Sequence, residues 1–167
     1  MRKILAIGGI ILIVLNLTGC KSLGLFKSND EKATDLGYSV IKLVEDGDEE
    51  KLQELFSEKA LEDCTDFETG FEYARSIYAG TYESIKIVGY NESSHYDKGK
   101  HSHEVKAKYE VETSSSTYLL YLYYWPSNTI NPAEEGVYRM ILSTNNAEKS
   151  YSQYAGIYNP NWDVEDS

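Results

Sequence analysis

Cysteine is nearly missing from this chain, with only Cys20 and Cys64 among 167 residues. So few thiols leave no disulfide framework to stabilise a small domain, and no Cys-x-x-Cys pair for zinc or redox chemistry. Basic residues are also outnumbered, 16 Lys and Arg against 27 Asp and Glu, for a formal net charge of −11. A surface this acidic repels polyphosphates, which excludes nucleic acid as a partner and argues against electrostatic adhesion to a membrane. The chain lacks a glycine-rich phosphate loop, a Gly-x-Ser-x-Gly elbow and any internal repeat. Its acidic runs, Asp46, Asp48, Glu49, Glu50 and Glu134-Glu135, lack the alternating ligands and fixed glycine of a calcium loop. They read as solvated turns and helix starts, where acids favour the helix dipole. No cofactor is implied.

What is present begins at the first residues. Arg2 and Lys3 precede an apolar run from Ile4 to Leu15, followed by Leu17-Thr18-Gly19-Cys20. The run is too short to cross a bilayer comfortably, which takes about 20 apolar residues, and reads as a secretory leader. The four residues that close it resemble the lipobox of bacterial lipoproteins, in which the cysteine is diacylated on its sulfur and the leader is cut just before it. The resemblance implies a mature chain that starts at Cys20 and is held through lipid on the extracytoplasmic face of the membrane. Two acyl chains, at about 0.8 kcal/mol per buried methylene, give a stable anchor where one would not. Loss of residues 1–19 removes Arg2 and Lys3 and no acid, so the net charge moves from −11 to −13. With Cys20 acylated, Cys64 has no partner in the chain. It has acids beside it in Ala60-Leu61-Glu62-Asp63-Cys64 and no local base to lower its pKa, so it is expected to be a packing thiol.

The segments expected are a leader over residues 1–19, a flexible tether over 20–32, a folded domain over 33–145 and an aromatic tail over 146–167 that docks on the domain. A first helix is expected from Ala33 to Asp46, with Leu36, Val40, Leu43 and Val44 at helical spacing and Gly47 as its stop. Asp48 can cap a second helix carrying Leu52, Leu55 and Phe56, followed by a short turn around Ser57 to Leu61. Asp66 opens a third helix, with Phe67, Phe71, Ala74 and Tyr78 on one face, which ends near Gly80. From Thr81 the apolar period becomes two. Ile85 and Ile87, then Val105, Ala107, Tyr109 and Val111, alternate with charged residues, as strands with one dry face do. Tyr118 to Trp125 reads as a central strand that Pro126 ends, and Gly136 to Ser143 as a further strand. The fold class is therefore α+β, three N-terminal helices packed on one face of a curved antiparallel sheet of four or more strands.

The first helix followed by Val44-Glu45-Asp46-Gly47-Asp48-Glu49-Glu50-Lys51-Leu52-Gln53-Glu54-Leu55-Phe56-Ser57, then a third helix and a run of strands, resembles the nuclear transport factor two-like, or cystatin-like, superfamily. The ending Gly156-Ile157-Tyr158-Asn159-Pro160-Asn161-Trp162-Asp163 is similar to the tail of a family of Gram-positive lipoproteins of unknown function. The superfamily resemblance implies a cone whose mouth holds a ligand, a substrate or a partner. Enzymes of that superfamily place Asp/His or Tyr/Asp groups inside the cone, and no motif of this chain maps onto theirs.

Two constellations are candidate sites. All three histidines, His95, His101 and His103, surround one expected hairpin turn, Tyr96-Asp97-Lys98-Gly99-Lys100. A type I turn with Gly99 as a left-handed bulge would pair His95 with His101, Ile87 with Tyr109 and Ile85 with Val111, keeping the dry stripe intact. In that register the three imidazoles share a face and could hold a divalent transition metal such as zinc, with Asp97 or Glu104 as an outer acceptor. A plain solvated hairpin tip explains the same residues. The second constellation is aromatic. Fifteen tyrosines stand against four phenylalanines, and Tyr118, Tyr121, Tyr123, Tyr124 and Trp125 could line a cleft, although alternation sends some to each side. Tyr118, Tyr121, Tyr123 and Trp125 are the expected ligand-binding set. The tail rings Tyr151, Tyr154, Tyr158 and Trp162 are expected to dock on the domain, because free they would expose a large apolar surface.

The function expected from these residues is a lipid-anchored binding module for a small ligand or an envelope protein. A metal-binding lipoprotein and a small hydrolase or isomerase are the alternatives.

Overall fold

The computed structural model describes residues 28–144 and 155–160. The expected leader, Cys20, most of the tether, Tyr151, Tyr154 and Trp162 lie outside the described residues.

Helix α1 runs Asn29–Asp46, four residues longer at its start than expected. Ser28 and Glu31 form a reciprocal capping box: the Ser28 hydroxyl accepts from the Glu31 N–H at 3.2 Å, and the Ser28 N–H donates to the Glu31 carboxylate at 2.9 Å. Two donors of the first turn are thereby satisfied, and helix begins inside the expected tether. The helix ends at Gly47, where the Asp48 N–H reaches back to the Leu43 carbonyl at 3.0 Å. Three further helices follow, α2 (Glu49–Gln53), α3 (Glu58–Asp63) and α4 (Phe67–Ile77), each capped by the side chain before it, Asp48, Ser57 and Asp66. The expected turn around Ser57 to Leu61 is thus a short helix, which the Ser57 cap nucleates. Helix α4 stops three residues before Gly80 because Tyr78 is extended and the Ala79 N–H donates to the Tyr118 hydroxyl at 2.8 Å.

Among the described residues, five strands form one sheet in the order β1-β2-β3-β4-β5: β1 Tyr82–Asp97, β2 Lys100–Thr113, β3 Thr117–Asn128, β4 Gly136–Thr144 and β5 Gly156–Ile157. The first three pairings are antiparallel and the last is parallel. Strand β3 continues through Pro126 instead of ending there. The pairing jumps from Val105↔Tyr124 to His103↔Ser127, so the proline falls in a bulge, where no ladder donor is needed.

The helices cover one face of the sheet, here the inner face. Val40, Ile41 and Val44 of α1, Leu52 of α2, and Phe71 and Ala74 of α4 meet Val111, Tyr118, Leu120, Leu122 and Leu142, all buried in one core. Gly37 of α1 lets the helix approach so closely that a Cβ there would lie 2.8 Å from the Tyr109 ring and 3.0 Å from Ile85. From the C-terminal segment, Ile157 is fully buried and Tyr158 is 5% exposed, with the Tyr158 N–H donating to the Met140 carbonyl at 2.9 Å. Cys64 is half-buried and unpaired, and burial pushes its thiol up, which disfavours the reactive thiolate.

The β1–β2 hairpin departs from the expected register in an instructive way. Its turn is the two-residue Lys98-Gly99, with Asp97 paired to Lys100. Both turn residues have positive φ, 47° and 82°, the signature of the type I′ turn whose twist matches that of the flanking strands. Ile85↔Val111 and Ile87↔Tyr109 nevertheless pair as expected, because the register shifts between Ile87 and Gly89. Val88 is looped out there and left 43% exposed. Above this bulge Tyr90, Glu92, Ser94 and Tyr96 lie opposite Ala107, Val105, His103 and His101. The bulge therefore carries Tyr90 and Glu92 onto the inner face.

Candidate functional site

Helix α1 and the first turn after α2 cover the inner face only in part. Where they leave it, a cavity of about 580 Å³ opens between α1 and the sheet. Asn29, Lys32 and Leu36 of α1 and Leu55 form one wall; Tyr90, His103, Val105 and Tyr124 of the sheet form the other; Trp125 to Ser127 and Glu135 to Val137 close the end. A largely apolar pocket of this size with a few convergent polar groups is the usual form of a small-molecule site.

The polar groups converge on one atom. Oε2 of Glu92 accepts from the Tyr90 hydroxyl at 2.8 Å, from Nδ2 of Asn29 at 3.1 Å and from Nε2 of His103 at 3.1 Å. Tyr90, Asn29 and His103 all line the cavity; Glu92, which bonds to all three, lies behind them rather than in the lining, with its side chain 42% exposed. The Tyr90 hydroxyl, ahead of His103 and Asn29, holds the Glu92 carboxyl below the ordinary glutamate value, so Glu92 is an anion at neutral pH. Burial, then the hydrogen bond to Glu92, pushes the Tyr90 hydroxyl well up. Tyr124 is pushed up to about 12, by burial first and then by the Glu92 charge, offset in part by the neighbouring Tyr109 hydroxyl. Both phenols therefore stay protonated, in a field set by the Glu92 carboxylate. At the closed end, the Glu135 carboxylate accepts from the Asn128 N–H at 3.1 Å.

The expected histidine trio does not converge. His95 pairs with Ser102, whereas His101 and His103 lie opposite Tyr96 and Ser94, so the two-residue turn puts His95 on the outer face and the other two on the inner face. His101 contacts Tyr96 and Thr129 instead, its backbone N–H donating to the Thr129 hydroxyl at 2.8 Å. Among the described residues no three His, Cys, Asp or Glu side chains are grouped to hold a metal ion. His103 alone belongs to the cavity.

The aromatic set is divided in the same manner. Tyr118 is 1% exposed in the core, its hydroxyl donating to the Ile77 carbonyl at 2.9 Å and accepting from Ala79. Tyr121 and Tyr123 point the other way, half-buried on the outer face. There Tyr123, Trp125 and Tyr138 pack together with ring centroids 4.6 to 5.9 Å apart, and the Lys106 ammonium lies 4.9 Å from the Tyr123 ring. Of the four expected ligand-binding residues only Trp125, beside the Pro126 bulge, also borders the cavity. Tyr90 and Tyr124 line the cavity in place of Tyr118, Tyr121 and Tyr123, with Glu92 bonded to Tyr90. Tyr124 was legible as an aromatic of the same strand, while Tyr90 and Glu92 reach the inner face only through the Val88 bulge.

Residues 39–148 match the family described as a domain of unknown function, DUF5104. The chain belongs to this family. The match takes in the last eight residues of α1, from Ser39, the other three helices and strands β1 to β4, and so most of the cavity wall within the DUF5104 domain. Asn29, Lys32 and Leu36 precede it. No curated protein matches the chain.

Proposed function

We propose that this protein is a lipid-anchored extracytoplasmic binding module that takes a small ligand into the cavity between α1 and the sheet. The observation that carries the reading is the cavity itself, about 580 Å³, with three polar side chains held in place by one carboxylate oxygen. Side chains fixed before a ligand arrives lose little entropy when it binds. Helices on one face of a sheet, leaving an open mouth, are consistent with the cone of the nuclear transport factor two-like superfamily. The lipobox resemblance of Leu17-Thr18-Gly19-Cys20 supports anchoring outside the cell, where such a module would meet a small solute or an envelope component.

Two measurements test the reading. In membrane fractionation Cys20→Ala should move the protein from the membrane pellet to the soluble fraction, and unchanged pelleting overturns the anchor. Val105 is 1% exposed and lines the cavity, so Val105→Phe fills the space from within. Native mass spectrometry of protein purified from its own membranes should show an adduct on the wild type that Val105→Phe lacks. An adduct carried equally by both places the ligand elsewhere, and a wild type bare of adducts that also shows no thermal shift with envelope extract overturns small-ligand binding.

A further inference from the structure

Among the described residues β1 pairs only with β2, so its other side carries a row of unpaired N–H and C=O groups, a template for a further strand. The lower part of this edge is closed off. The Glu45 carboxylate accepts from the Tyr82 N–H at 2.9 Å, Lys86 adds a charge, and the Val88 bulge interrupts the ladder. The upper part, Gly89 to Asp97, has none of these devices. It holds no proline, lysine or arginine and no bulge, and every residue from Asn91 to Asp97 is exposed. Tyr96, 76% exposed, is the barest large apolar side chain among the described residues.

The open stretch is complementary to a second copy of itself. The two-residue turn makes Asp97 and Lys100 a hydrogen-bonded pair, so by alternation the N–H and C=O of Tyr90, Glu92, Ser94 and Tyr96 face the open side. Ser93 is the midpoint of Gly89 to Asp97. Antiparallel pairing about a two-fold axis at Ser93 uses the whole stretch and makes about eight ladder hydrogen bonds. It sets Tyr90 opposite the partner's Tyr96, Glu92 opposite the partner's Ser94 and Asn91 opposite the partner's His95. The two tyrosines form a favourable cross-strand pair, and no like charges meet. An axis at Glu92 would set that carboxylate against itself, and one at Ser94 would run Tyr90 against the turn residue Lys98. Helix α1 leaves the edge clear, because Asn29 at its start touches Glu92 and Gly37 lies against Ile85, so each helix runs away from the axis. We infer that two copies of the chain join edge to edge through Gly89 to Asp97 of β1. Tyr90 lines the cavity, so each cavity wall then has the partner's Tyr96 beside it. Both α1 helices start near the axis on one face of the joined sheet, which suits two chains held on one membrane, and that point alone rests on the anchor reading above.

Cysteine cross-linking reads both the pairing and its register. The axis makes Ser93 a non-hydrogen-bonded pair with its own counterpart, Cα atoms about 4.5 Å apart, which a disulfide spans. Asn91 stands about 14 Å from its counterpart, which a disulfide does not. Ser93→Cys and Asn91→Cys are each made in the full chain and oxidised mildly in native membranes. Ser93→Cys should give a covalent dimer on non-reducing gels, and Asn91→Cys and the wild type, whose Cys64 is half-buried, should not. Adding Ser94→Pro to Ser93→Cys removes an N–H that faces only the open side, so the β1–β2 ladder stays whole while the dimer should fall at least about tenfold. Ser94→Val, which keeps that N–H, should leave the dimer in place. Self-pairing is overturned by no dimer from Ser93→Cys, an equal dimer from Asn91→Cys, a dimer indifferent to Ser94→Pro, or a loss as large in Ser94→Val. A disulfide from Ser93→Cys to a different protein would assign the edge to that partner and overturn it as well. None of these outcomes bears on the Val105→Phe adduct comparison, which decides the cavity reading separately.

Discussion

Two halves of the same sheet face use tyrosine in opposite ways. In the covered half, Tyr109 and Tyr118 are at most 1% exposed, and their hydroxyls are tied to backbone: Tyr109 donates to the Ala33 carbonyl at 2.8 Å, and Tyr118 to the Ile77 carbonyl at 2.9 Å. In the open half, Tyr90 donates to the Glu92 side chain and Tyr124 borders the cavity. A hydroxyl bonded to backbone joins a helix end to the sheet and has no freedom to meet a ligand. A hydroxyl bonded to a side chain can exchange that partner at the cost of one rotamer. Residue type and strand position are therefore poor guides to a tyrosine's role, and the identity of its hydrogen-bond partner is a good one.

The comparison breaks most readily at the level of packing. Leu120 is fully buried in the covered half, and Leu120→Ala should cost about 2–5 kcal/mol through lost burial and the void left behind. Val105→Phe is a small-to-large change at a residue only 1% exposed, but the cavity beside it can take up the added volume, so it should cost about 1 kcal/mol, the low end of overpacking. Urea denaturation of both variants measures the difference. Equal costs would mean that the two halves are packed alike and that the cavity is not open space.

Hydrogen bonding sharpens the same contrast on a smaller scale. Tyr118→Phe strands the Ala79 N–H and weakens the tie to Ile77, for an expected loss of about 1–3 kcal/mol. Tyr90→Phe frees a carboxylate that stands 42% exposed and that water can solvate, so its loss should stay below about 1 kcal/mol. Chemical denaturation of the two variants checks the ranking. A larger cost for Tyr90→Phe would assign the Glu92 network a structural role rather than a binding one.

The covered half was largely legible in the sequence, and the open half was not. Helical spacing of Val40 and Val44, the stop at Gly47 and the alternation of Ala107, Tyr109 and Val111 each reflect burial against a single face, and local pattern records burial well. The start of α1 was also written, in the Ser28 and Glu31 capping box, but without apolar residues beside it the signal reads as a tether. The site depends on events that change no residue type. The pairings Ile85↔Val111 and Ile87↔Tyr109 were expected from a three-residue turn, and they arise from a two-residue turn plus a bulge at Val88. The two differences cancel along the dry stripe, so the core is insensitive to them. They do not cancel beyond it, where they separate His95 from His101 and His103 and bring Glu92 opposite Val105.

Acid titration gives the finest test of the two halves. Glu92 is held below the ordinary glutamate value of 4.5, chiefly by the Tyr90 hydroxyl. A carboxylate whose folded-state pKa is depressed contributes stability that is present above its unfolded value and lost as pH falls through the folded one. The wild type should therefore be slightly more stable than Glu92→Gln at neutral pH, and the gap should close as the pH drops below about 4.5. Exposure of the side chain to solvent keeps the effect small. The deficit of Tyr118→Phe should instead be the same at pH 4 as at pH 7, because the groups it strands belong to the backbone and do not titrate in that range. Thermal unfolding of the three proteins across this interval measures both trends. A gap for Glu92→Gln that persists at low pH would place its effect in packing rather than charge, and the open half would then be held together as the covered half is.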